Sequence, residues 1–346
     1  MSRRVVTMAV TAFVVAVLVS VAALLPVPYV ALSPGPVTDT LGKVAGQDLI
    51  EIEGRATYPT NGNLDLTTVS VLGGPSRRLQ LITALEGWLD DSVAVVPEGR
   101  VYPEGQTRKQ AERQSNAEMR ESQENATTAA LRLLGIPVRT HIEVLRVPGN
   151  SPSDGVLARG DVITSIDGKA VSGGTELREL ITAREPGKKV RVGFSRDGVE
   201  QEAVVTTGSA DDGRAIVGIL TTDKAEYPFD VDIALENVGG PSAGLMFALG
   251  IYDKLTPGSL TGGAHIAGTG TMDDRGQVGA IGGITQKMIG AKQAGATVFL
   301  VPAGNCAEAD QTAPDGLRIV KATGLPGVVE ALDKLRKDPG ARVPTC

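Results

Sequence analysis

Residues 236–251, ENVGGPSAGLMFALGI, and residues 265–305, HIAGTGTMDDRGQVGAIGGITQKMIGAKQAGATVFLVPAGN, decide how this chain reads. In the first, Gly240-Pro241-Ser242-Ala243-Gly244 forces a turn and puts Ser242 at the head of a predicted helix, Ser242–Leu255. In the second, Gly282-Gly283 precedes a predicted helix Thr285–Ala294 that carries Lys287 in its first turn. A serine needs a base to become a nucleophile, and a lysine held neutral can be that base. Free N–H groups at a helix start can also stabilise an oxyanion.

Each residue has a plainer reading. A serine at a helix start is usually a cap worth ~1 kcal/mol, although Gly244 weakens a helix at that point and suggests a close backbone approach. The string also fits the Gly-x-Ser-x-Gly elbow of α/β-hydrolases. That fold needs a downstream acid and then a histidine, and His265 alone lies downstream, too near to leave room for the intervening sheet. Lys287 sits at the rim of an apolar face made by Ile284, Met288 and Ala291, where desolvation and the helix N-terminus would both lower its pKa. Most lysines instead snorkel to solvent. Periodicity does not separate Lys287 from Lys292 on the other flank of that face.

Upstream, Asn63–Val71 and Asp48–Ile52 have strand character, Leu79–Leu89 reads as a short helix and Gln106–Leu134 as a long one that stops at Gly135-Ile136-Pro137. Strands at Ala215–Leu220, Val231–Leu235, His265–Gly268, Val298–Val301 and Arg318–Val320 alternate with helices, ending in Val328–Lys337. The mixture predicts an α+β fold, with no long-period repeat.

With 346 residues, 42% of them apolar, two or three domains are expected. A net charge of −6, no basic block and few aromatics argue against nucleic acid as a partner. No charged residue occurs between Val5 and Thr38, and Val5–Pro26 is rich in Val, Ala and Leu, enough to span a bilayer at roughly 20 residues. Arg3 and Arg4 before it favour a cytoplasmic N-terminus, a single membrane pass and an extracytoplasmic body. A cleaved signal peptide is the alternative, but no small-x-small cleavage site follows and the apolar run is long for one. In an exported body, Cys306 and Cys346 can pair as one disulfide or remain two thiols. With only His141 and His265, and no Cys–His spacing, no metal site is expected.

Between Val138 and Thr207, the runs LARGDVITSIDGKAV and PGKKVRVGFSRDG resemble a PDZ domain of the bacterial protease-associated kind. Such domains bind extended peptides by adding a strand to a sheet edge. On that resemblance the groove is expected between the strand His141–Val147, with His141, Ile142, Glu143 and Val144 as peptide contacts, and the helix Thr175–Ala183, with Leu177 and Ile181. The loop Ser151–Leu157 departs from the usual carboxylate-binding loop.

The two opening stretches closely resemble the proteolytic domain of Lon proteases. The family's serine motif falls on Ser242 and its lysine motif on Lys287, not Lys292. Thr269 matches a threonine that orients the lysine. The resemblance implies a peptidase with Ser242 as nucleophile and neutral Lys287 as base. The backbone at Gly240, Pro241 and Ala243 forms the expected oxyanion region, and no cofactor is implied. Gly239 stands where many Lon domains have an acidic residue, and Thr271 where they have Glu. SNAEMRESQENATTAALRLLGI and NGNLDLTTVSVLGG resemble earlier parts of the same domain, so the PDZ block is an insertion. The expected plan is a transmembrane anchor at 1–28, a stem at 29–47, Lon-type parts at 48–137 and 209–337, the PDZ domain at 138–208 and a tail at 338–346. This arrangement resembles the membrane-anchored PDZ–Lon-type serine peptidases of bacteria. There is no Gly-x-x-x-x-Gly-Lys-Ser/Thr in the sequence, so the expected substrates are flexible or unfolded polypeptides cleaved without ATP. Homo-oligomers follow by analogy with ring-forming Lon-type domains alone. A non-catalytic PDZ adaptor with a structural Lon-type domain, and an esterase, remain the competing readings.

Overall fold

The helix Arg108–Leu133 begins where a capping box closes it: Thr107 accepts from the Gln110 N–H, and the Gln110 side chain reaches back to the Thr107 N–H. Its polar first half is largely exposed, and from Ala126 to Leu131 it is buried without a break. It packs on the helix Gly244–Leu255, which is buried almost throughout. These helices, Ile284–Gln293 and Leu325–Lys337 pack with a six-stranded sheet in this computed structural model, which describes residues 3–75, 78–103, 105–210, 212–235 and 238–346.

The sheet runs in the order Arg318–Ala322, Val298–Pro302, His265–Gly268, Asn63–Gly73, Tyr29–Asp39, Ala94–Pro97. The first four strands are parallel and the last two pair antiparallel. The all-buried strand Val298–Pro302 lies beside the core formed by Ile284, Met288, Ala291, Phe299 and Val301. Three strands thus come from the N-terminal part of the chain, and the parallel set is completed after the insertion.

Tyr29–Asp39 corrects the stem expected at 29–47. It is a strand paired on both sides. Pro34, Gly35 and Pro36 read as a linker because proline donates no ladder hydrogen bond, but here they sit in a register irregularity between Pro34 and Val37. The Thr68 hydroxyl donates to the Pro36 carbonyl at 2.8 Å and stands against Gly35.

The N-terminal helix Arg3–Ala23 buries none of its residues, and its best 18-residue window has a mean hydropathy of 2.6. It is long and apolar enough to cross a membrane. At the other end of the chain, Cys306 and Cys346 are joined as a disulfide. Pro344 accepts from the Lys321 N–H, and Arg318 binds the carbonyls of Pro339 and Ala341, so the tail covers the outer edge of the sheet.

Pro137–Pro228 forms a second compact unit. It extends past the expected boundary at 208 because Leu220–Glu226 pairs with Arg139–Arg146 along its whole length. Its sheet order is Val199–Thr206, Lys189–Arg196, Val162–Ile166, Arg139–Arg146, Leu220–Glu226. Asp197 and Gly198, both at positive φ, turn the hairpin between the first two of these strands. Ile142, Val144, Ile163, Phe194, Leu177 and Ile181 share one core.

Candidate active site

Ser242 lies two residues before the helix Gly244–Leu255, in a turn held from the long helix. Gly240 takes a positive φ of 83° and donates its N–H to the Ser115 carbonyl. The Ser122 hydroxyl donates to the Pro241 carbonyl at 2.9 Å. Sequence reasoning placed Ser115 and Ser122 on the right helix but gave them no role. Their seven-residue spacing, two turns along one face, was the available signal. Gly244 is required by close approach: a Cβ there would lie 2.8 Å from the Met272 Cβ and 2.9 Å from its nitrogen. At Gly239 an added Cβ would fall 2.0 Å from the Ser115 Oγ, so that hydroxyl would have to turn away to admit a side chain there. Glu236 and Asn237, which open the quoted stretch, lie outside the described residues.

Lys287 enters from the helix Ile284–Gln293, whose cap is Gly283 in the left-handed region, φ 68°. A side chain at Gly283 would be strained and would also meet Val69 at 2.8 Å. Lys287 is 3% exposed, beside the fully buried Ile284 and Met288. Its Nζ stands 2.8 Å from the Ser242 Oγ and 2.9 Å from the Thr269 Oγ1. Burial lowers its pKa from the usual 10.5 to about 7. Lys292, by contrast, reaches out to the Gly316 carbonyl.

Thr269 is fully buried, and its hydroxyl donates to the Ser242 carbonyl at 3.0 Å. Its oxygen can therefore only accept from Lys287. One N–H of a neutral amine is spent on Thr269, which leaves the lone pair to face the Ser242 hydroxyl. The Gly270 N–H also donates to the Ser242 carbonyl, at 2.9 Å.

The expected oxyanion region changes in membership. Pro241 has no N–H and that of Gly240 is committed to Ser115, whereas the N–H groups of Ser242 and Ala243 have no acceptor among the described residues. Both residues line a cleft of 810 Å³ with Thr271, Lys287, Met119, the loop Ala280–Gly282 and Thr67–Ser70. Asn305 grips that loop from behind, accepting from the Ile281 N–H and donating to the Ile281 carbonyl. Beyond Leu66 the strand Asn63–Gly73 no longer pairs with His265–Gly268, so Thr67–Ser70 presents a strand edge to the cleft. His265 is bonded to Asp65 and is absent from the cleft wall, unlike the histidine of a hydrolase triad.

In the second unit the expected groove is misplaced on one side. Arg139–Arg146, which holds His141, Ile142, Glu143 and Val144, is paired on both edges, and Ile142 and Val144 are core residues. Leu177 and Ile181 do line a groove, of 520 Å³, but its other wall is Ala215–Thr221, leading into the edge strand Leu220–Glu226. The loop Ser151–Leu157 packs behind that wall, where the Ser153 hydroxyl donates to the Val217 carbonyl.

Comparison with known proteins finds two kinds of domain, with edges that differ from those of the compact units. The PDZ domain family matches residues 117–207, and the Lon protease (S16) C-terminal proteolytic domain matches residues 235–332. The chain thus carries a PDZ domain and a Lon-type proteolytic domain. Lon protease 1 of Bacillus subtilis is 26% identical over 174 residues, 49% of this chain and 22% of that protein. Lon protease of Clostridioides difficile is 43% identical over 63 residues, 18% of this chain and 8% of that one. The periplasmic pH-dependent serine endoprotease DegQ of Escherichia coli is 35% identical over 75 residues, 22% of this chain and 16% of its own length. This chain therefore spans less than a quarter of each of these relatives. Among solved structures, the PDZ domain of an SdrC-like protein from Listeria monocytogenes is 26% identical, covering 23% of this chain and 85% of that one with a TM-score of 0.23.

Proposed function

We propose that this chain is a membrane-tethered serine endopeptidase that works without ATP, with Ser242 as nucleophile and Lys287 as general base. The observation that carries the reading is the 2.8 Å contact between the Ser242 Oγ and a buried amine whose pKa is lowered to about 7. A substrate backbone laid along the Thr67–Ser70 edge adds a strand there and brings its carbonyl carbon to the Ser242 Oγ. Lys287 takes the hydroxyl proton as the new C–O bond forms. The N–H groups of Ser242 and Ala243 stabilise the resulting oxyanion. The intermediate collapses with breakage of the C–N bond, and the lysine proton goes to the leaving amine. Water, deprotonated by the same amine, then cleaves the acyl-enzyme.

Arg3–Ala23 is the anchor, with Arg3 and Arg4 on the cytoplasmic side and the body outside. The groove between Gly174–Thr182 and Ala215–Thr221 takes an extended peptide tail, with Leu177 and Ile181 as its apolar floor. It delivers flexible substrates, for which no ATP-driven unfolding is needed. Degradation of an unfolded protein by the full chain, Ser242→Ala and Lys287→Ala tests this, with turnover expected only from the unaltered chain, with or without ATP. Absence of turnover in all three, with no covalent labelling of Ser242, would leave the non-catalytic PDZ adaptor as the better reading.

A further inference from the structure

The short helix Leu81–Trp88 has its faces reversed relative to an ordinary surface helix. It buries only Ala84 and Gly87, against Ala31, Val93 and Val95. Its outward face carries Ile82, Leu85 and Trp88, continued by Leu89, with exposures of 38, 44, 55 and 89%. Glu86 is the one charged residue in the helix. A helix on a water-facing surface puts polar residues outward, and contiguous exposed apolar residues mark a contact surface.

The occupant follows from what this helix is joined to. Its first N–H, on Leu81, donates to the Leu25 carbonyl, and Leu79-Gln80 pairs with Pro26-Val27, directly after the apolar helix Arg3–Ala23. Leu24 and Leu25, both more than half exposed, continue the apolar surface across the junction. A tryptophan with one exposed flank, its ring edge-on to Tyr29 at 5.9 Å, suits the boundary between acyl chains and headgroups.

We propose that Leu81–Trp88 is a second membrane contact, lying in the bilayer interface with Ile82, Leu85, Trp88 and Leu89 turned to lipid. The proposal rests on the anchor reading of Arg3–Ala23. Glu86, Asp90 and Asp91, on or after this segment, outnumber Arg77 and Arg78 before it in the sequence, so the attraction is apolar and does not depend on anionic lipid. The contact has a structural consequence. The helix packs on the strand Tyr29–Asp39, whose neighbour Asn63–Gly73 forms the Thr67–Ser70 wall of the cleft, so a fixed foot sets the height of the cleft above the bilayer.

Trp88 is the only tryptophan in the chain, so its fluorescence reports this position alone. The full chain is reconstituted in phosphatidylcholine vesicles with brominated acyl chains and floated on a density gradient. Flotation with Trp88 quenched by bromines near the headgroup end and shielded from aqueous iodide is the expected result, unchanged by high salt. In the double variant Leu85→Ser and Leu89→Ser the chain still floats and the quenching is lost. A chain that floats with Trp88 unquenched by brominated lipid overturns the proposal and leaves the anchor standing. In that case access to iodide means the face lies in water, and protection means that another protein, such as a second copy, covers it. A chain that does not float overturns the anchor reading and the proposal together.

Discussion

Lys287 is costly to hold in place. A lysine whose pKa is about 7 when folded and 10.5 when unfolded gives up about 5 kcal/mol at neutral pH. The unfolded chain binds the proton that the folded chain has lost, so stability rises with pH between about 7 and 10.5 and is insensitive to this group below that window. Lys287→Met is therefore expected to be inactive yet more stable at pH 7, by up to about 5 kcal/mol in denaturant unfolding, with the gain shrinking toward pH 10.5. Lys287→Arg is inactive for a different reason, since guanidinium does not deprotonate. Thr269→Val keeps the volume but removes the acceptor for the amine and the donor to the Ser242 carbonyl. It is expected to lower kcat by about 10- to 100-fold with little change in KM, as for loss of an orienting group. Ser242 and Lys287 were legible in the sequence because the resemblance chose between lysines that periodicity left equal. The desolvation that lowers the pKa was not, because it depends on which side chains close over the amine.

At the scale of elements, the serine turn is built as much by the long helix Arg108–Leu133 as by its own glycines. Ser122→Ala removes the hydrogen bond to the Pro241 carbonyl, and a loss of about 1 kcal/mol in stability is expected in chemical denaturation, together with reduced kcat. Elements with strong periodicity or capping were legible: the long helix, the strand at Asn63 and the Asp197-Gly198 hairpin all lie close to their expected positions. Tyr29–Asp39 was not, because two prolines in a bulge look the same in sequence as two prolines in a linker. The groove that Leu177 and Ile181 line was expected against Arg139–Arg146 rather than Ala215–Thr221 for a related reason. Which strand of a sheet is the edge depends on Leu220–Glu226, far along the chain, pairing with Arg139–Arg146. Leu220→Glu, which puts a charge on the groove wall at a position 48% exposed and so outside the core, is expected to weaken capture of tail-bearing substrates while leaving hydrolysis of short peptides unchanged, measured as paired KM values.

For the molecule as a whole, Met1–Ile136 and Phe229–Cys346 do form one compact unit around Pro137–Pro228, and the interruption was legible because the strings of the middle block differ from those on either side. Contacts of the C-terminal tail were not, since a disulfide depends on spatial proximity. Cys306–Cys346 closes a loop with a sequence separation of 40 and follows Asn305, the residue that grips Ile281 in the cleft wall. Reduction, or Cys346→Ser, is expected to lower stability by up to about 4 kcal/mol on chain-entropy grounds, and thermal unfolding with and without reductant measures it. The central claim is that a neutral Lys287 activates Ser242, and the rate at which a phosphonate probe labels Ser242 as a function of pH tests it most directly. The account predicts a labelling rate that climbs with pH to a plateau, with its midpoint near 7, and that collapses in Lys287→Met. A rate that is the same in Lys287→Met, or whose midpoint lies near the 10.5 of an ordinary lysine, would contradict it.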